Sequence, residues 1–275
     1  MSTKKNSRQA ALFANNPEPA EKSYRDTPIA RRMELIEGGN KAQQHQPAVN
    51  NSLKIKLDHL KTFEPLTENQ AKFFELYKSG SYFMGLFGSA GVGKTFLALY
   101  KAIEEVLDKT NSFKRVVIVR SCVPTRDVGF LPGSLEEKQE VYEMPYKEIC
   151  TTLFDRPDAY ERLKEQGYIK FISTTAIRGI SIDDSVILVD ELQNLNWSEV
   201  HTICTRVGHR SKMVFCGDYK QTDLIHSKND KTAFHDFIKV ARAMRQFDEV
   251  YFTPDDIIRS SLAKEWIIKC EEFGF

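Results

Sequence analysis

Residues 88 to 95 read Gly-Ser-Ala-Gly-Val-Gly-Lys-Thr, which fits the spacing G-x-x-x-x-G-K-[ST] of a phosphate-binding loop. Each residue type has a physical reason to be there. Gly88, Gly91 and Gly93 let the main chain wrap closely. The backbone N–H groups of the loop, those of Ser89, Ala90 and Val92 included, then point inward at anionic oxygens beside a helix N-terminus. Lys94 places a compact positive charge on the β and γ phosphates of a nucleoside triphosphate, and the Thr95 hydroxyl can ligate Mg²⁺.

A second group closes the apolar run 185–194, Ser-Val-Ile-Leu-Val-Asp-Glu-Leu-Gln-Asn. Asp190 and Glu191 are adjacent like charges. Taken alone they could be the solvated end of a buried strand. In the same sheet as a phosphate loop, a strand's carboxyl end lies where ligands of open α/β sheets bind. Asp190 can then hold Mg²⁺ through its water shell, and Glu191 can act as the base for a water attacking the γ phosphate. A base for water implies hydrolysis.

The third group, Met213 to Leu224, ends a strand in Gly217-Asp218 and continues to Gln221. A glutamine amide can donate to a γ phosphate and accept from the attacking water, so Gln221 is a candidate sensor. Arg259 follows the last strand-like run. It is a candidate transition-state arginine, acting in its own site or a neighbouring subunit's; Arg178, before Gly179, could serve the same purpose or contact a nucleic-acid backbone. For single-stranded nucleic acid the candidates are Arg120, Arg126 and Phe130, with a basic stretch at Arg206, His209, Arg210 and Lys212. Guanidinium groups meet phosphates, and a ring offers a stacking face.

Elements that could position these groups follow from periodicity. Residues 67–80 are expected to form a helix opening near Thr67 and stopped by Gly80. In 94–107, Leu99, Ile103, Val106 and Leu107 share one helical face. Strand-like runs begin at Tyr82, Arg115, Tyr168, Ser185, Lys212 and Glu249. Short β-branched runs alternating with helical segments predict an α/β fold, a mainly parallel sheet with helices on both faces. Residues 1–52 are polar and interrupted by Pro, Gly and Asn, and are expected to be a flexible tail holding at most one short helix. The domain proper is expected over 53–275.

The 275 residues, 41% hydrophobic and 28% charged, suit a soluble globular protein, and the net charge of +1 gives no bulk preference for nucleic acid. No apolar stretch approaches the roughly 20 residues that span a bilayer, and the N-terminus lacks a signal-peptide core. Five cysteines without a C-x-x-C pair point to reduced thiols, a cytoplasmic location and no cysteine metal site.

With these residues in place, the chain resembles the PhoH-like family of P-loop ATPases, whose cores are similar to the first motor domain of superfamily 1 helicases. The resemblance runs through 88–95, 117–138, 178–194, 205–224 and, more weakly, 255–267. It implies a RecA-like fold, ATP hydrolysis with Mg²⁺, ring formation and action on single-stranded nucleic acid, RNA before DNA. Gln70 stands where helicase-like motors place an adenine-reading glutamine. Two stretches depart from the family. Residues 139–149, Gln-Glu-Val-Tyr-Glu-Met-Pro-Tyr-Lys-Glu-Ile, stand where a Pro-Tyr pair and an arginine are usual and carry Lys147 after Pro145-Tyr146, and Arg259 lacks the His-Pro that usually follows. One phosphate loop and one acidic strand make a single motor domain, so unwinding would need neighbouring subunits. A homo-oligomer, plausibly a hexameric ring, is therefore expected. A slow ATP-dependent switch or scaffold stays open as the alternative.

Overall fold

The computed structural model describes residues 54–122, 135–218 and 233–273. The readings of a polar tail, of Arg126 and Phe130, and of Gln221 fall outside them. Six strands form one sheet: β1 (Phe83–Gly88), β2 (Arg115–Arg120), β3 (Ile169–Ser173), β4 (Ser185–Val189), β5 (Lys212–Gly217) and β6 (Phe247–Phe252). Their order is β3-β2-β4-β5-β1-β6, and every pairing is parallel. All six expected runs are strands, and the carboxyl ends of all six lie on one edge. This is the RecA-like α/β architecture.

The helices are α1 (Glu68–Lys78), α2 (Lys94–Leu107), α3 (Leu135–Phe154), α4 (Ala159–Glu165), α5 (Trp197–Cys204), α6 (Ala233–Arg242) and α7 (Ser261–Glu272). Strand side chains alternate between two cores. Val116, Ile118, Val186, Leu188, Val214 and Cys216 face α1 to α4, whereas Val117, Val119, Ile187, Val189, Met213 and Phe215 face α5 and α6. Near-continuous apolar runs are thus explained by burial on both faces. Each fully buried aliphatic side chain contributes about 1.5–3 kcal/mol.

Helix α1 opens as expected: Thr67 Oγ1 accepts from the Gln70 N–H at 3.3 Å, and Gly80 takes φ 87° beyond its end. In α2, Leu99, Ile103, Val106 and Leu107 are all buried, with Leu97 and Ala98 beside them. Residues 139–149, which the sequence left without a role, are interior to α3 despite Pro145. Of the basic stretch 206–212, Lys212 is buried and meets both Glu105 carboxylate oxygens at 3.0 Å, which corrects its reading as part of a nucleic-acid surface. Arg210 pairs with Asp184 at 2.5 Å and is exposed, as is His209. The five cysteines are free thiols, and no helix among the described residues is long and apolar enough to cross a membrane.

Candidate nucleotide site

The loop between β1 and α2 adopts the conformation its glycines allow. Gly88, Gly91 and Gly93 take φ 140°, 79° and 89°. A Cβ on Gly88 would fall 2.2 Å from the Phe252 carbonyl oxygen, so only glycine fits there. Gly93 begins α2 with no side-chain cap and no acidic residue in the first turn. The helix therefore offers unsatisfied N–H groups and its positive dipole end to an anion. Ser89 is 1% exposed, and its Oγ finds no hydrogen-bond partner among the described residues. The Val92 side chain is buried in the core, so only its backbone serves the loop.

Lys94 Nζ donates to the carbonyls of Gly88 and Ser89 at 2.7 and 2.8 Å. Burial lowers its pKa, opposed chiefly by the Asp218 carboxylate and also by Glu191 and Asp190. The ammonium thus rests on the loop's carbonyl oxygens beside a cavity of about 470 Å³, which Thr95, Asp190, Glu191 and Arg259 also line. That volume suits a small-molecule ligand.

The acid pair is brought to the loop as its sequence suggested. Thr95 Oγ1 donates to Asp190 Oδ1 at 2.8 Å, and Asp190 is 3% exposed. Glu191 follows in the left-handed region, φ 55° and ψ 48°, which turns its side chain away from the strand direction. Burial, then the neighbouring Asp190, raise the Glu191 pKa, against lowering by Arg120, Gln193 and Lys94. No cluster of three or more His, Cys, Asp or Glu that could hold a metal occurs among the described residues. A hydroxyl and one carboxylate, leaving other positions to water and phosphate oxygens, is a donor set that fits Mg²⁺.

Several residues that the sequence analysis did not assign to this site complete it. Gln193 spans two strand ends: its amide donates to Glu191, and its oxygen accepts from the Asp218 N–H at 3.0 Å. Tyr146 of α3, fully buried, donates to Asp190 Oδ2 at 2.8 Å. Arg120, a nucleic-acid candidate in the sequence, lines the cavity. Burial opposes its charge, but Tyr146, Asp190 and Glu191 outweigh that and raise its pKa. The signals for these residues were weak: Gln193 lies two positions after Glu191, whereas Tyr146 and Arg120 are brought in by the fold.

Gln70 and Arg259 both reach the loop from outside it. Gln70 is 1% exposed; its oxygen accepts from Leu66 N–H at 2.8 Å and its amide donates to the Val92 carbonyl at 3.3 Å. Arg259 lies over Gly91, where a Cβ would come within 3.0 Å of its Cγ. The Ile258 N–H donates to the Gly91 carbonyl at 3.3 Å. The 253–259 turn is also fastened to α1, because Asp256 Oδ2 accepts from Asn69 at 2.8 Å and from the Thr253 N–H at 2.7 Å. Arg178 is exposed after β3.

The family model described as PhoH-like protein matches residues 62–271. The chain belongs to the PhoH-like family. A PhoH-like protein of Mycobacterium leprae is 34% identical over 191 residues, covering 69% of this chain and 52% of the relative. Protein PhoH2 of Bacillus subtilis is 37% identical over 171 residues, 60% of this chain and 38% of its own. This PhoH-like chain thus spans about half the length, or less, of the curated relatives it matches. Among solved structures it is similar to the Pyrococcus furiosus Hef helicase domain, with TM-score 0.40, 13% identity and coverage of 68% and 38% of the two chains. It is also similar to the large terminase of a thermophilic bacteriophage, with TM-score 0.42, 14% identity and coverage of 74% and 50%.

Proposed function

We propose that the chain hydrolyses ATP with Mg²⁺ at this cavity. The observation that carries the reading is the 2.8 Å contact between Thr95 of the phosphate loop and Asp190 of the acidic strand. It joins the two halves of a nucleotide site. The loop amides and the N-terminus of α2 cradle the phosphates. Lys94 leaves the Gly88 and Ser89 carbonyls for the β and γ oxygens, and Thr95 and Asp190 hold the metal. Bound Mg²⁺ neutralises charge that develops on the phosphate oxygens.

Glu191 takes a proton from water as the water oxygen attacks the γ phosphorus in line. The bond to the bridging oxygen breaks, and ADP and phosphate are the products. A buried glutamate whose pKa lies above the ordinary carboxylate range is a stronger base than an exposed one. A binder without turnover needs no such group, and this favours an enzyme over a switch. Gln221 senses the γ phosphate. Arg259, packed against Gly91 of its own chain, supplies transition-state charge in cis.

The reading extends to single-stranded nucleic acid, RNA before DNA, and to a homo-oligomer. These parts rest on the family. Arg126 and Phe130, with Arg178, are the contacts proposed for the strand. Phosphate release from ATP with Mg²⁺ or EDTA, and with or without single-stranded RNA or DNA, tests all of this. Turnover that needs Mg²⁺ and rises with RNA supports it. Turnover indifferent to polynucleotide refutes the nucleic-acid coupling.

A further inference from the structure

Asp190 is nearly inaccessible, yet each of its two carboxylate oxygens has its own donor. Oδ1 takes the Thr95 hydroxyl and Oδ2 takes the Tyr146 phenol, both at 2.8 Å. The two contacts differ in kind. Thr95 belongs to the loop and would itself ligate the metal, whereas Tyr146 comes from α3, is fully buried, and does not line the cavity. The phenol has one proton to give, and it goes to Asp190. Tyr146, Asp190 and Thr95 thus form one hydrogen-bonded line from α3 to the start of α2.

We propose that Tyr146 is a positioning residue for the metal carboxylate, turning Asp190 so that Oδ1 faces Thr95 and the phosphate loop. A carboxylate on a single Cβ can rotate about its terminal torsion, which is broad and roughly two-fold. Fixing Oδ2 from behind removes that freedom before the metal arrives. Partners of this kind, one step behind a ligand, orient it, and losing one typically costs about 10–100-fold in metal affinity or activity.

The proposal rests on the Mg²⁺-dependent ATPase reading, and the test separates the two. The experiment titrates Mg²⁺ for wild type and Tyr146→Phe, follows the rise in melting temperature at saturating ADP and phosphate release at saturating ATP, and determines the KM for ATP at saturating Mg²⁺. The variant is expected to need about tenfold more Mg²⁺ for half-saturation, with the KM for ATP at high Mg²⁺ changed less than twofold. A purely structural tyrosine would lower the folded fraction and scale the rate at every Mg²⁺ concentration without moving the half-saturation point; that result overturns the proposal. If Tyr146→Phe does not fold, the same titration on Tyr146→Met, which keeps bulk but has no donor for Asp190, reads the same contact. An unmoved half-saturation point there overturns the proposal equally. Wild type that shows no ATP turnover at any Mg²⁺ concentration overturns the reading beneath it, and the proposal with it.

Discussion

Glu191 concentrates the chemistry in one side chain, and its environment gives a test that needs no substrate. Burial and the adjacent Asp190 raise its pKa. A carboxyl whose folded pKa exceeds its unfolded value favours the folded state at low pH. That contribution is lost as pH rises from the unfolded value, about 4.3, through the folded one. Glu191→Gln removes the ionisation. The melting temperature of the variant, relative to wild type, is expected to increase as pH rises across that window. A difference that stays flat with pH contradicts the burial of an ionised Glu191. In catalysis the same raised pKa places the acidic limb of the kcat/KM profile above the ordinary carboxylate range. The adjacency of Asp190 and Glu191 was legible in the sequence because two acids rarely end an apolar run beside a phosphate loop. Arg120 was not. Nothing in its neighbours distinguishes an arginine turned into a site from one on a surface, and only the pairing of β2 with β4 puts it beside the acids.

Among the elements, the phosphate loop depends on backbone that L side chains do not adopt. Gly88→Ala combines an unfavourable φ with a Cβ lodged against the Phe252 carbonyl. It is expected to cost on the order of 1–3 kcal/mol for the strained conformation alone, read as a lower denaturation midpoint together with weakened nucleotide binding. Normal stability and normal binding would contradict the loop geometry. The turn carrying Arg259 makes a gentler case. Asn69→Ala removes the bond from α1 to Asp256, so Arg259 is held less well over Gly91. The rate constant kcat is expected to fall severalfold while ATP binding stays within about twofold, as for a group used only in the transition state. The six strands and α2 were legible because apolar periodicity is strong where a sheet is buried on both faces. Helix α3 was not, because Pro145 interrupts the helical pattern inside it. Since α3 carries Tyr146, that miss also concealed one corner of the site.

For the whole molecule, the sheet gathers every strand's carboxyl end on one edge, and the loop, Asp190, Glu191 and Asp218 meet there. A fold class read from apolar runs fixed the edge, but not which side chains cross between neighbouring strands. The proposed homo-oligomer makes a separate prediction. Light scattering is expected to give a mass that is a multiple of the chain's, and specific ATPase activity is expected to fall on dilution. A monomer whose turnover is unchanged by dilution contradicts it. The central claim is tested most directly by phosphate release from ATP in the presence of Mg²⁺, measured for wild type beside Glu191→Gln with ATP binding followed in both. The account predicts that both proteins bind ATP and that the variant's turnover is at least about a hundredfold slower. Equal turnover in the two, or a wild type that binds ATP with Mg²⁺ and releases no phosphate, would contradict it.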